Sequence, residues 1–303
     1  MADLTADLGF IKLKNPVIPA SGTFGYGSEF QRFFDLNKLG AFVMKGVYAE
    51  EREGNNPPRI CETSSGLLNS IGLAGPGAEE LKKLIKDVSA KTSVPIIVNV
   101  CGGSDQEYLK VAKVFDVMNE VAMIELNISC PNVKAGGNCP AQNPHDTFRV
   151  VKLVKENTKK PLIVKLSPNV ANIAAIARSA EEAGADSISV VNTFLGLALS
   201  VEKREPVFKN FFAGLSGPAI KPLALRIVWE VANAVSIPVI GIGGIMTGRD
   251  VLEFILAGAS AIQTGTVNII EPKGSVRIIE ETRELMDKLN IKNLEELRGG
   301  LNL

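Results

Sequence analysis

Histidine is nearly missing from this chain: there is one, His145, in 303 residues. It stands in Asn143-Pro144-His145-Asp146, ahead of a helical segment, where a capping or solvated role suits it. The chain therefore offers no Cys–His dyad and no histidine-rich metal site. Cysteines are also few, at four, and Cys61, Cys101, Cys130 and Cys139 are too scattered for a disulfide scaffold. None of their spacings matches the Cys-x-x-Cys patterns that hold zinc or iron–sulfur clusters, so no metal site is expected. Charge of one sign is lacking too: 33 basic residues balance 33 acidic ones. That balance argues against a nucleic-acid partner and leaves no polybasic membrane anchor. No apolar run approaches membrane-spanning length, and Met1–Leu8 lacks the charged and apolar regions of a signal peptide. The expectation is a soluble cytoplasmic protein with reduced thiols and no membrane partner.

Apolar residues make up 46% of the chain, enough for a large core. Short β-rich runs alternate with helical patterns almost to the end. Strands are predicted at Pro16–Ala20, Ala41–Val47, Pro95–Val100, Ala122–Ser129, Pro161–Leu166, Ser187–Asn192, Pro238–Gly243 and Ala261–Thr264. Helices are predicted at Ala78–Ala90, Asp105–Met118, Asp146–Thr158, Ile173–Ala183, Pro222–Ala234, Arg249–Leu256 and Val276–Leu289. Eight strands with intervening helices predict a parallel sheet closed into a (β/α)8 TIM barrel, with a doubly wound open sheet as the alternative. No linker or composition shift divides residues 1–303, which read as one domain. Two connections, Tyr48–Gly77 and Thr193–Lys221, are long insertions at the C-terminal face, where barrel loops carry function.

The most informative segment is Glu125-Leu126-Asn127-Ile128-Ser129-Cys130-Pro131-Asn132. It begins as an alternating strand and ends in a thiol flanked by amides, the edge at which barrels keep their chemistry. A lone thiol there, with no histidine nearby in sequence, suggests an unusual acid–base group. Other strand ends present Ser21, Lys45-Gly46, Asn99, Lys165 and Asn192-Thr193. Two lysines and three amides are costly to bury at the ends of apolar strands unless they serve a common site. Cys61, Cys101 and Cys139 default to incidental or structural roles, and Glu202-Lys203-Arg204-Glu205 reads as a solvated loop.

Gly243-Gly244 and Gly265-Thr266 follow strands seven and eight, where barrels commonly hold phosphate on backbone N–H groups. Gly241-Ile242-Gly243-Gly244 lacks the third glycine of a dinucleotide fingerprint, so no Rossmann NAD site is predicted. A phosphate-bearing heterocycle fits this mouth, and flavin mononucleotide (FMN) fits well. A lysine at the ring's N1/O2 edge would stabilise its anionic reduced form. A Schiff-base aldolase using Lys45 or Lys165 is a second reading. An RNA-acting flavin barrel would need a basic stripe, and a non-catalytic scaffold would not need so many polar strand ends.

The chain resembles dihydroorotate dehydrogenase over nearly its whole length. The resemblance rests on Pro19-Ala20-Ser21-Gly22, Lys45-Gly46, Asn69-Ser70-Ile71-Gly72-Leu73, Asn127 through Asn132, Lys165-Leu166-Ser167-Pro168, Asn192-Thr193, Gly241 through Ile245 and Gly265-Thr266. It implies oxidation of dihydroorotate to orotate on FMN, in pyrimidine biosynthesis. Cys130 would take the proton from C5 while hydride leaves C6 for the flavin. Asn69, Ser70, Ile71, Gly72, Leu73, Asn127, Asn192 and Thr193 would hold the substrate. Lys45 would bridge substrate and flavin, and Lys165 would face the flavin's N1/O2 side. Ser21, Gly46, Asn99, Asn127, Val191, Gly217, Gly243, Gly244, Gly265 and Thr266 would complete the FMN site.

Within this family a cysteine base marks the soluble class, since a thiol with an ordinary pKa of about 8.5 is more easily made a base than a serine hydroxyl. The run from Cys130 through Val133-Lys134-Ala135-Gly136-Gly137 is similar to the NAD-linked form, whereas the fumarate-using homodimer reads Val-Pro-Gly-Lys in this loop. The resemblance then implies an electron-transfer partner subunit carrying FAD and a [2Fe–2S] cluster, in a heterotetramer of two subunits of each kind. The fumarate-using homodimer is the alternative.

Overall fold

The computed structural model describes residues 1–129 and 140–302. Eight strands form one all-parallel sheet: β1 (Val17–Pro19), β2 (Phe42–Val43), β3 (Ile96–Val100), β4 (Val121–Asn127), β5 (Leu162–Lys165), β6 (Ser187–Val190), β7 (Val239–Ile242) and β8 (Ala261–Thr264). Each of β2 through β7 is hydrogen-bonded to the next strand in chain order, and β8 pairs with β1. A backbone bond from Gly40 N–H to the Val17 carbonyl, at 3.2 Å, links the β1 edge to the residues entering β2. The predicted (β/α)8 TIM barrel is the fold, and the doubly wound alternative is excluded by the β8–β1 pairing.

All eight predicted strands are present. They read as near-continuous apolar runs because both faces are buried: every residue of β1, β3 and β5–β8 is shielded. The barrel is wrapped by α1 (Gly77–Ser89), α2 (Asp105–Asp116), α3 (Pro144–Lys155), α4 (Ile173–Glu182), α5 (Lys221–Ala232), α6 (Gly248–Leu256), a single turn α7 (Val267–Ile270) and α8 (Gly274–Lys288). Side-chain caps set several starts: Ser104, Asn143, Asn172 and Thr247 each accept from the backbone N–H three residues on. The turn α7 was not predicted, being too short to show a period.

Between β1 and β2 there is no α-helix. A 3-10 turn, Leu36–Lys38, and a packed set of rings replace it, with Phe24 stacked on Phe30 at 4.1 Å and tilted against Phe42 at 5.7 Å. Full burial of Phe24 and Phe42 is worth about 1.5–3 kcal/mol apiece, which anchors a segment that has no helix to hold it.

The two long connections, expected as loops, pair with each other. Ile60–Thr63, Gly66–Asn69, Phe212–Ser216 and Phe194–Leu197 make a four-stranded antiparallel sheet. Glycine allows the close crossings: a Cβ on Gly214 would lie 2.2 Å from Thr193 Oγ1, and one on Gly66 would lie 2.2 Å from the Ser216 carbonyl oxygen. Thr266 Oγ1 donates to Ser216 Oγ at 2.9 Å, tying this sheet to the turn after β8. Among the described residues no helix is long and apolar enough to cross a membrane.

Candidate active site

The C-terminal strand ends and the inserted sheet enclose a cavity of about 340 Å³. The strand ends contribute Ser21, Lys45, Gly46, Asn99, Asn127, Lys165, Val191, Asn192, Thr193, Gly243, Gly244, Gly265 and Thr266. The insertions contribute Asn69, Ile71, Gly72, Leu73 and Gly217. The predicted site residues thus converge, with two exceptions. Ser70 is buried and does not line the cavity; its hydroxyl accepts from Asn55 Nδ2 at 3.0 Å, so it fixes the Asn55 loop against the inserted sheet. Cys130 lies outside the described residues, as do Lys134 and Cys139.

A relay of polar side chains sets the amides. Asn127 Nδ2 donates to Asn99 Oδ1 at 3.1 Å, while Ser129 Oγ donates to Asn127 Oδ1 at 2.8 Å. Asn192 Nδ2 donates to Ser129 Oγ at 2.8 Å, and the Tyr108 hydroxyl fixes the Asn127 carbonyl at 2.9 Å. Ser129 immediately precedes Cys130, so the backbone entering the thiol is held by a buried hydroxyl joined to two cavity amides. Asn99 in turn donates to Glu125 Oε1 at 2.6 Å. Such networks are rigid when every member is satisfied.

The two lysines have different settings. Lys165 is buried, with its Nζ 3.7 Å from Glu125 Oε1. Lys45 is half-buried and has no carboxylate within ion-pair distance among the described residues. Burial lowers its pKa below the usual lysine value, repulsion from Arg59 adds to this, and Glu29 offsets it in part. A half-buried ammonium beside a guanidinium favours an anionic guest.

On the opposite side the glycine turns are braced from behind. Gly243 and Gly244 have φ of 129° and 73°, conformations that favour glycine. The Asp250 carboxylate accepts from the N–H groups of Met246 and Thr247 at 2.8 and 2.9 Å, and from Lys221 Nζ at 2.6 Å. Gly265 differs: a Cβ there would meet no protein atom within 4 Å, and its φ is not in the left-handed region. The same open space faces Gly22. Both glycines line the cavity, so the room beyond them is kept free of protein, as a phosphate cradle requires.

Sequence reasoning passed over Glu125, Ser129, Ser189 and Gln263. The signal for Glu125 was available, since an acid within an otherwise apolar strand must find partners. Gln263 and Ser189 are ordinary polar residues in strands, and only the barrel register brings them to Glu125. Cys101 is buried, with its thiol 3.6 Å from Asn99 Oδ1, and Cys61 sits in the inserted sheet. His145, expected just ahead of a helix, lies in the first turn of α3, with 87% of its side chain exposed. Glu202–Arg204 lies in an exposed turn, while Glu205, read as part of the same loop, opens a short strand paired with Leu199–Ser200.

The comparisons agree with this geometry. The family model described as dihydroorotate dehydrogenase matches residues 4–286. A protein of Alkaliphilus metalliredigens named dihydroorotate dehydrogenase B (NAD(+)), catalytic subunit, is 49% identical over 301 residues, covering 99% of both chains. Proteins of the same name from Geotalea uraniireducens and Bacteroides thetaiotaomicron are 48% and 46% identical, covering 99% and 100% of this chain and 98% and 100% of their own. With a barrel mouth furnished by the residues that carry the resemblance, and relatives matched end to end, the chain belongs to the dihydroorotate dehydrogenase family.

Proposed function

We propose that this chain, as a single domain over residues 1–303, is the catalytic subunit of an NAD-linked dihydroorotate dehydrogenase that binds FMN. The observation that carries the reading is the convergence of Lys45, Asn69, Asn99, Asn127, Lys165 and Asn192 with the glycine turns in one cavity. The family is one of flavin-dependent dehydrogenases, and the open cradle at Gly22 and Gly265 suits the phosphate of FMN. Bound FMN supplies a hydride acceptor. Ser21, Gly46, Asn99, Lys165, Val191, Gly217, Gly243, Gly244, Gly265 and Thr266 hold it in this reading. Asn69 through Leu73, Asn127, Asn192 and Thr193 hold the pyrimidine, and the Lys45 ammonium pairs with negative charge on substrate and cofactor.

Cys130 is the base. Its thiolate takes the C5 proton as the C6 hydride leaves, and the C5–C6 double bond of orotate forms from the C5–H electron pair. His145 cannot serve instead, since it does not line the cavity. The inserted sheet covers the mouth and limits water at the reacting carbons.

The onward acceptor is argued from two observations. The relatives are named for the NAD(+) form and as catalytic subunits, and the run from Val133 to Gly137 resembles that form. A partner subunit with FAD and a [2Fe–2S] cluster, in a two-plus-two heterotetramer in the cytoplasm, completes the proposal. The test is reconstitution with FMN, followed by reduction with dihydroorotate under anaerobic conditions. Flavin absorption bands that bleach with substrate, and NAD reduction only when the partner subunit is added, are expected. An unbleached flavin, or rapid NAD reduction by this chain alone, would refute the respective halves.

A further inference from the structure

Glu125 is completely shielded from solvent and does not line the cavity, yet it holds two residues that do. It lies on β4 opposite Asn99 of β3. Its Oε1 accepts from Asn99 Nδ2 at 2.6 Å and stands 3.7 Å from Lys165 Nζ. Its Oε2 accepts from Gln263 Nε2 at 2.6 Å and from Ser189 Oγ at 3.0 Å. Strands β3, β5, β6 and β8 thus each send one donor to this carboxylate.

Gln263, one of these donors, is fully buried. Its Oε1 is buried without a hydrogen-bond partner among the described residues. Turning the amide over would place that oxygen against Glu125 Oε2 at the 2.6 Å now occupied by the donor. Asn99 Nδ2, Ser189 Oγ and Gln263 Nε2 all donate to the group, and a carboxylate, which can only accept, suits a pocket whose neighbours are donors. A fixed anion therefore lies directly behind the floor of the cavity.

We propose that Glu125 is a positioning residue that locks Asn99 and Lys165 into the cavity floor and holds down the midpoint potential of the flavin bound above them. The proposal rests on the FMN reading given above. Reduction of a flavin adds negative charge at the ring, which Lys165 favours. The Glu125 carboxylate opposes it, both directly and by cancelling part of the lysine's charge, and burial leaves this opposition weakly screened.

The test is Glu125→Gln in the FMN-loaded protein. The substitution keeps the shape and removes the charge. The new amide oxygen still accepts from Asn99 Nδ2, and its nitrogen can donate to Gln263 Oε1 once that side chain turns, which moves the unpaired atom from oxygen to nitrogen without adding one. Midpoint potentials are read from visible spectra equilibrated with a redox dye, alongside FMN affinity. The expected result is a reduced-to-oxidised ratio about tenfold higher at fixed dye potential, a rise of about 30 mV for a two-electron couple. Glu125→Asp, which keeps the charge, should leave the ratio near wild type. If Glu125→Gln does not fold, Glu125→Gln combined with Gln263→Met removes the charge and the unpartnered amide together, keeps an acceptor for Asn99, and should show the same rise. An unchanged or lowered ratio in the charge-free variant overturns the proposal. A wild-type chain without flavin bands refutes the FMN reading itself.

Discussion

Adding one methyl group at Gly265 separates ligand space from protein packing. A Cβ there meets no protein atom within 4 Å, and the backbone is not left-handed, so Gly265→Ala strains nothing. Loss of glycine's freedom in the unfolded chain should make the ligand-free protein more stable by up to about 0.5–1 kcal/mol. In the loaded protein the same methyl enters the proposed phosphate cradle. Overpacking costs about 1–3 kcal/mol, which corresponds to a Kd for FMN raised roughly 5- to 150-fold. Gly244→Ala is the contrasting change. Its φ of 73° disfavours a side chain, and its Cβ would lie 2.7 Å from the Lys221 backbone nitrogen. Conformational strain of about 1–2 kcal/mol and the clash together should lower the Tm of the ligand-free protein by about 4 °C or more. Thermal unfolding without FMN and titration by flavin fluorescence quenching read the two effects separately. Equal destabilisation by both variants, or unchanged FMN affinity in Gly265→Ala, would refute the reasoning.

Two further outcomes follow from the site. Cys130→Ser should slow reduction of the flavin by dihydroorotate at least about 100-fold near neutral pH, since a hydroxyl is a far weaker base source than a thiol, while orotate binding is retained; stopped-flow rates equal to wild type would place the base elsewhere. Lys45 carries a pKa lowered by burial and by Arg59, so its ammonium is disfavoured in the folded protein and that penalty is relieved as pH rises through the lowered value. Orotate affinity should accordingly fall at a pH below the ordinary lysine value of about 10.4, and Arg59→Ala should move that limb upward; a pH profile indifferent to Arg59→Ala would remove the lysine from substrate binding.

Much of the fold was legible because each barrel strand is a short apolar run ended by punctuation. Pro95, Pro161 and Pro238 stand immediately before β3, β5 and β7, past the ends of the preceding helices, and the helices carry clear apolar periods and side-chain caps such as Ser104 and Thr247. The inserted sheet was not legible. Its strands come from connections more than a hundred residues apart, as in the pairing of Asn69 with Gly214, and local pattern carries no signal for such pairing.

The site divides along the same line. Residue types at strand ends determined by themselves which groups reach the mouth, because a parallel barrel brings all its C-terminal ends to one face. Lys45, Asn99, Asn127, Lys165 and Asn192 all stand at or just past strand ends, and all line the cavity. What holds them was decided only in three dimensions. Glu125 joins Asn99, Lys165, Ser189 and Gln263 because the register of neighbouring strands sets them at one level inside the barrel. Ser70 turned out to brace a loop rather than face the cavity, since its hydroxyl found Asn55. Sequence fixes what a strand end offers, and packing decides which way each group turns, because direction depends on neighbours that the chain brings from far away.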